Sequence, residues 1–136
     1  RENADREAQD YADKLMELFG ITHIKDKYPA DISGGERQRT AVARSLINDP
    51  LLILADAPTG NLDSKSSRAV IEAFEKAKSE MGSTILMVTH DSFSASFCDR
   101  VILLKDGVIY KQLNRIGSQN SFQGYLLDTI KEMSEV

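Results

Sequence analysis

The residues best suited to chemistry lie in two short stretches, Ile32-Ser33-Gly34-Gly35-Glu36-Arg37-Gln38-Arg39 and Leu51-Leu52-Ile53-Leu54-Ala55-Asp56. In the first, two glycines stand directly ahead of a helix-forming run that ends at Leu46. A helix start has unpaired backbone N–H groups and a partial positive charge, and both suit a phosphate. Glycines let the backbone approach such an anion closely. Ser33 occupies the N-cap place, where its hydroxyl can bond the backbone or a ligand oxygen. The second stretch is an apolar run ending in a carboxylate. It predicts a buried parallel strand that carries Asp56 to the carboxyl edge of a sheet, where open α/β folds bind ligands. An anion cradle and a metal-ready acid together point to a nucleoside triphosphate with Mg²⁺.

The elements that must position these residues follow from periodicity. Ala4 to Phe19 repeats apolar residues at three and four, with Gly20 as its stop. Ile21 to Asp31 is a connector, and His23 within it reads as a partly exposed loop histidine, since no second histidine lies near it in sequence. Gly35 to Leu46 is a helix with Ala41, Ala43 and Leu46 on its apolar side and Arg37, Arg39 and Arg44 on its polar one. Leu51 to Ala55 is a strand, Ser64 to Met81 a long helix with Val70, Ile71, Phe74 and Ala77 inward, and Ser83 to Thr89 a second buried strand. Ser92 to Cys98 is a short helix. Arg100 to Leu104 and Val108 to Leu113 form a hairpin about Asp106-Gly107, and Ser121 to Glu132 is a terminal helix. Strands alternating with helices predict an α/β fold with a mostly parallel sheet.

At 136 residues, 41% apolar and 28% charged, the chain has the composition of one soluble globular domain. Its net charge of −4 argues against a nucleic-acid partner. No apolar run reaches the ~20 residues of a spanning helix. Cys98 is the only cysteine, so no internal disulfide forms.

Four motifs in order resemble those of the ABC ATPases. Ser33-Gly34-Gly35-Glu36-Arg37-Gln38 is similar to the family's signature, and Leu51 to Asp56 to its Walker B strand. Gly60-Asn61-Leu62-Asp63 is similar to the D-loop, and Val88-Thr89-His90-Asp91 to the switch-histidine loop. The resemblance implies the C-terminal part of a P-loop NTPase fold. It divides into a helical signature lobe at 1–48, the end of the RecA-like core at 49–113, and a C-terminal loop and helix at 114–136. No Gly-x-x-x-x-Gly-Lys-Ser/Thr occurs, and the family's Walker A and Gln loop are expected upstream of Arg1. By the same resemblance Asp56 holds Mg²⁺, His90 contacts the γ-phosphate and attacking water, and Ser33, Gly34, Gly35, Glu36 and Asp63 meet ATP held by a second subunit. The implied partners are that second ATPase subunit, paired head to tail, and a transmembrane permease at the cytoplasmic face of a bacterial membrane.

One position departs from the pattern. Ala57 stands where the family has the Glu that polarises the attacking water, and alanine cannot accept a proton. The expectation is therefore an ATPase subunit deficient in hydrolysis. The alternative is an ATP-gated dimerising module that regulates a partner without turnover. Pro58-Thr59-Gly60-Asn61-Leu62-Asp63 resembles the bacterial exporter branch, which includes lipoprotein release, macrolide export and peptide-antibiotic resistance, and the tail resembles bacitracin exporters most.

Overall fold

The computed structural model describes residues 2–136. The first helix, α1 (Glu2–Leu18), is followed by two 3-10 turns, Thr22–Ile24 and Pro29–Asp31, and by α2 (Gly34–Ser45). Then come β1 (Leu52–Asp56), α3 (Ser64–Met81), β2 (Thr84–Val88), α4 (Ser92–Ala95), β3 (Arg100–Lys105), β4 (Val108–Asn114) and α5 (Gln119–Ser134). The chain forms two compact units that divide between Val88 and Thr89.

In the first unit, α1 ends in a Schellman turn. Gly20 adopts φ +66°, its N–H reaches Glu17 O at 3.1 Å, and Ile21 N–H reaches Met16 O at 2.9 Å. Glycine is required there because a Cβ disfavours the left-handed region. The connector folds back through the two 3-10 turns and buries Ile21 and Ile24 beside Leu15 and Phe19. The buried face of α2 is Val42, Ala43 and Leu46. Ala41, expected inward, is exposed, because the helical repeat that places 42 and 46 on the core carries 41 round to solvent. Val70, Ala73, Phe74 and Ala77 of α3 complete the same cluster with Ile53 and Ala55 of β1.

The strands β1 and β2 pair in parallel, Leu52 opposite Thr84 through Asp56 opposite Val88. The apolar run at 51–55 suggested a strand buried on both faces, but only one face is covered. Ile53 and Ala55 are buried, while Leu52, Leu54, Leu86 and Val88 are about half exposed or more. Side chains alternate across a strand, and the helical cluster reaches only the odd positions of this pair.

In the second unit, β3 and β4 form an antiparallel hairpin. Asp106 at φ +53° and Gly107 at φ +78° supply the two left-handed residues of a type I′ turn, and Lys105 pairs with Val108 across it. Leu103 faces Lys111 and Leu104 faces Ile109, which leaves Tyr110 as the extra residue of a bulge. Among the described residues the strands form two two-stranded sheets, the parallel pair in the first unit and this hairpin in the second. Leu113, Phe122 and Leu126 form the core of this unit. The predicted short helix at 92–98 stops at Ala95, where Ser96 donates its hydroxyl to Phe93 O and accepts from Gln119 Nε2 at 2.6 Å.

Candidate functional site

The signature stretch begins α2. Ser33 is its N-cap: the hydroxyl accepts from Glu36 N–H at 3.1 Å, while Glu36 Oε1 accepts from Ser33 N–H at 2.9 Å. This reciprocal capping box satisfies one amide of the first turn, and Ser33 O takes another from Arg37 N–H at 2.9 Å. The amides of Gly34 and Gly35 are left as the donors the helix itself does not use.

The two glycines also face α3. A Cβ on Gly34 would stand 2.9 Å from Leu62 Cδ2, and one on Gly35 would stand 3.1 Å from Ser66 Cβ. Glycine thus serves close approach between the start of α2 and the start of α3, bringing the signature against the D-loop stretch Gly60 to Asp63. Asp63 is the N-cap of α3, accepting Ser66 N–H at 2.7 Å on Oδ1. That backbone donor holds its carboxyl below the usual carboxylate range.

Glu36 is more strongly perturbed, to about 2, chiefly by the Ser33 amide and next by His23. His23 Nε2 lies 2.6 Å from Glu36 Oε2, thirteen residues away in sequence. Both carboxylate oxygens of Glu36 are therefore engaged within the protein. His23 is exposed, as the connector composition suggested, but it is paired. No local signal announces that pairing, because it depends on how the 3-10 turns fold the connector back. By contrast, the Ser-x-x-Glu spacing of the capping box is legible from residues 33–36 alone. Of the signature arginines, Arg37 Nη2 donates to Ile32 O at 3.2 Å, and Arg39 Nε is buried with no hydrogen-bond partner.

Asp56 ends β1 with its side chain exposed, opposite Val88 in the register. Ala57 follows in the left-handed region, φ +46°, with its N–H donating to Val88 O at 2.7 Å and its carbonyl accepting Gly60 N–H at 3.0 Å. The backbone at 57 is thus fixed by its own hydrogen bonds, and its side chain is exposed. Among the described residues no three His, Cys, Asp or Glu gather to hold a metal. One strand-end carboxylate fits Mg²⁺, which binds through one or two carboxylates, water and substrate phosphates. Of the two glycines that open α2, Gly34 is exposed, where a helix start suits a phosphate oxygen, whereas Gly35 is buried against Ser66.

His90 belongs to the second unit and is exposed. Its turn is pinned on either side. Thr89 Oγ1 accepts Asp91 N–H at 3.0 Å, and the Asp91 carboxylate accepts Phe93 N–H and the Ser94 hydroxyl, both at 2.9 Å.

A parallel β–α–β unit with an acid at the strand end places that acid where open α/β folds bind their ligands. A family model described as ABC transporter matches residues 1–60. The chain is 43% identical over 125 residues to the uncharacterized ABC transporter ATP-binding protein YvcR of Bacillus subtilis, covering 92% of this chain and 48% of that protein. It is 44% identical over 131 residues to the bacitracin export ATP-binding protein BceA of Halalkalibacterium halodurans, covering 96% and 49%. The dimeric post-hydrolysis structure of the ATP-binding cassette MJ0796, bound to ADP and Pi, superposes with a TM-score of 0.65 at 36% identity, over 80% of this chain and 47% of that one. The chain belongs to the ABC transporter ATP-binding family, and it spans about half the length of the curated relatives it matches.

Proposed function

We propose that this chain is the signature-bearing part of an ATP-binding subunit of an exporter-type ABC transporter. In this reading it couples ATP binding to movement of a substrate across a bacterial membrane. The observation that carries it is the shared surface of the signature and the D-loop. Gly34 is exposed at the start of α2 and rests on Leu62, while Gly35 is buried against Ser66, so the helix start and the D-loop stretch form one rigid patch that a phosphate held elsewhere would meet at Gly34. The pairing reading rests on this patch and on similarity to a cassette described as dimeric. ATP with Mg²⁺ is the proposed ligand, with Asp56 holding the metal and Ser33 and Gly34 meeting phosphate oxygens. Bound Mg²⁺ neutralises phosphate charge and orients the oxygens around it. His90 is proposed to orient water at the reacting phosphate, and Asp63 to line the paired surface.

The partners proposed are a second ATPase subunit and a transmembrane permease, with the chain peripheral at the cytoplasmic membrane face. No helix among the described residues is long and apolar enough to cross a membrane. An apolar groove of about 410 Å³ between α1, the 3-10 turns and α2, rimmed by Lys25, Lys27 and Arg44, supports a permease contact on the helical lobe.

Ala57 favours the second reading, an ATP-gated module that pairs without turnover. Loss of a positioned proton acceptor costs about 10²–10⁴-fold in rate. Because the backbone at 57 is set by its bonds to Val88 and Gly60 and the side chain is exposed, a carboxylate can be installed there without displacing the core. In the full-length protein, Ala57→Glu is expected to raise phosphate release by that range while ATP-driven association persists. Equal rates in the two proteins would sink the assignment of position 57, and no ATP-driven association in either would sink the pairing.

A further inference from the structure

His90 stands two residues before α4, a helix of only four residues. One turn of helix does not hold itself, because fixing its backbone costs more than its few bonds return. Side chains must therefore set its geometry. Thr89 Oγ1 accepts Asp91 N–H across His90 at 3.0 Å. Asp91 Oδ1 then accepts Phe93 N–H and Oδ2 accepts the Ser94 hydroxyl, both at 2.9 Å. At the other end the Phe93 carbonyl accepts the Ser96 hydroxyl. Phe93 is thus tied through its N–H on one side and its C=O on the other. Ser94 and Ser96 are fully buried, where a hydroxyl is stable only with partners.

The second partner of Ser96 comes from outside the turn. Gln119, in the first turn of α5, donates from Nε2 to Ser96 Oγ at 2.6 Å and to Gln123 Oε1 at 3.3 Å. Proton count fixes the direction of the first bond. Ser96 has one hydroxyl proton and Phe93 O takes it, so Ser96 can only accept from residue 119. An amide supplies that donor, and a carboxylate of the same size cannot. The far end of the link is firm, because α5 is packed through buried Phe122, Leu126 and Thr129.

We propose that Gln119 is a positioning residue for His90: by donating to Ser96 it fixes the Phe93 carbonyl and the Asp91-capped turn, and so the direction in which the exposed imidazole is presented. The proposal rests on the reading of His90 as the group that orients water at the reacting phosphate. It makes α5, remote in sequence from the motifs, a support of the loop that meets the nucleotide. Gln119 acts only through the chain of bonds by way of Ser96, Phe93 and Asp91. Its loss therefore leaves the chemistry of His90 intact and loosens its aim, which slows turnover more than it weakens ATP binding.

The test is steady-state phosphate release by the full-length protein carrying Ala57→Glu, with Gln119→Met and Gln119→Glu introduced singly and together with His90→Ala. Methionine keeps the length of the side chain, and glutamate keeps its shape, but neither donates to Ser96. Each is expected to lower kcat about three- to tenfold, the factor that one net hydrogen bond carries, with KM for ATP unchanged. In the His90→Ala background neither should cost anything further, the non-additivity of two residues acting through one group. An undiminished kcat in both Gln119 variants, or the same loss with and without His90→Ala, would overturn the proposal. Should His90→Ala leave phosphate release as it was, the reading of His90 fails by itself, and should no release occur in any version, that of position 57 fails. In either case the link is judged by the amide resonances of Asp91 and Phe93. Those are expected to shift in both Gln119 variants, and unmoved resonances would overturn the link itself.

Discussion

Replacing Gly35 by alanine separates the two roles that the signature glycines combine. A Cβ at 35 would lie 3.1 Å from Ser66 Cβ, 3.3 Å from Ser66 Oγ and 3.6 Å from Ser66 Cα. The nearest atom is bonded directly to the α3 backbone, so it cannot swing aside, and the two helix starts must part by a few tenths of an ångström. Overpacking of this kind costs about 1–3 kcal/mol, and the better helix propensity of alanine returns up to about 1 kcal/mol. The net expectation is a loss of about 0.5–2 kcal/mol, read as a lower midpoint in urea unfolding followed by circular dichroism. Gly34→Ala is the internal control, because its obstacle at 2.9 Å is Leu62 Cδ2, the end of a rotatable side chain. It should be close to neutral. Ser66→Gly removes the obstructing Cβ, so Gly35→Ala should cost measurably less in that background, a coupling a double-mutant cycle detects. A Gly35→Ala protein as stable as wild type, or one equally destabilised with and without Ser66→Gly, would refute the close-approach argument.

Three further outcomes follow from the same geometry. Asp63→Ala removes the N-cap of α3 and should lower the thermal midpoint at neutral pH, whereas Asp63→Asn should retain it. Because folding depresses the Asp63 carboxyl, its contribution is complete above the ordinary carboxylate pKa and is lost as pH falls below it through the lowered folded-state value. Thermal scans from pH 3 to 7 should therefore show a shallower acid loss in Asp63→Asn. Gly107→Ala places a Cβ at φ +78° with nothing within 4 Å, so its cost of about 1–2 kcal/mol is backbone strain alone, measurable by thermal unfolding of the hairpin unit. Leu126→Ala empties a fully buried position under the hairpin and should cost about 2–5 kcal/mol by the same measurement.

Much of the scaffold was legible in local signals. Gly20 and Asp106-Gly107 marked a helix stop and a hairpin because their φ values admit few other residues, and Ser33 stands where N-cap chemistry belongs. The positions 70, 71, 74 and 77 lie inward as their periodicity implied. What local pattern could not convey was which face of β1 is covered, since an all-apolar run is compatible with one covered face or two. Nor could it show that Gly34 and Gly35 rest on Leu62 and Ser66, or that His23 meets Glu36. Those contacts join residues whose proximity is created by folding, and no residue type at either end requires the other.

The uncovered side of the parallel pair has a practical outcome. Leu52, Leu54, Leu86 and Val88 stand in register on one surface and meet water. Water gains by being displaced from such a surface whatever displaces it. Any species that occupies it only in the native state adds to the melting free energy by mass action. The apparent melting point of this chain should therefore depend on its concentration and on mild detergent, and a thermal scan of a single dilution would understate its stability.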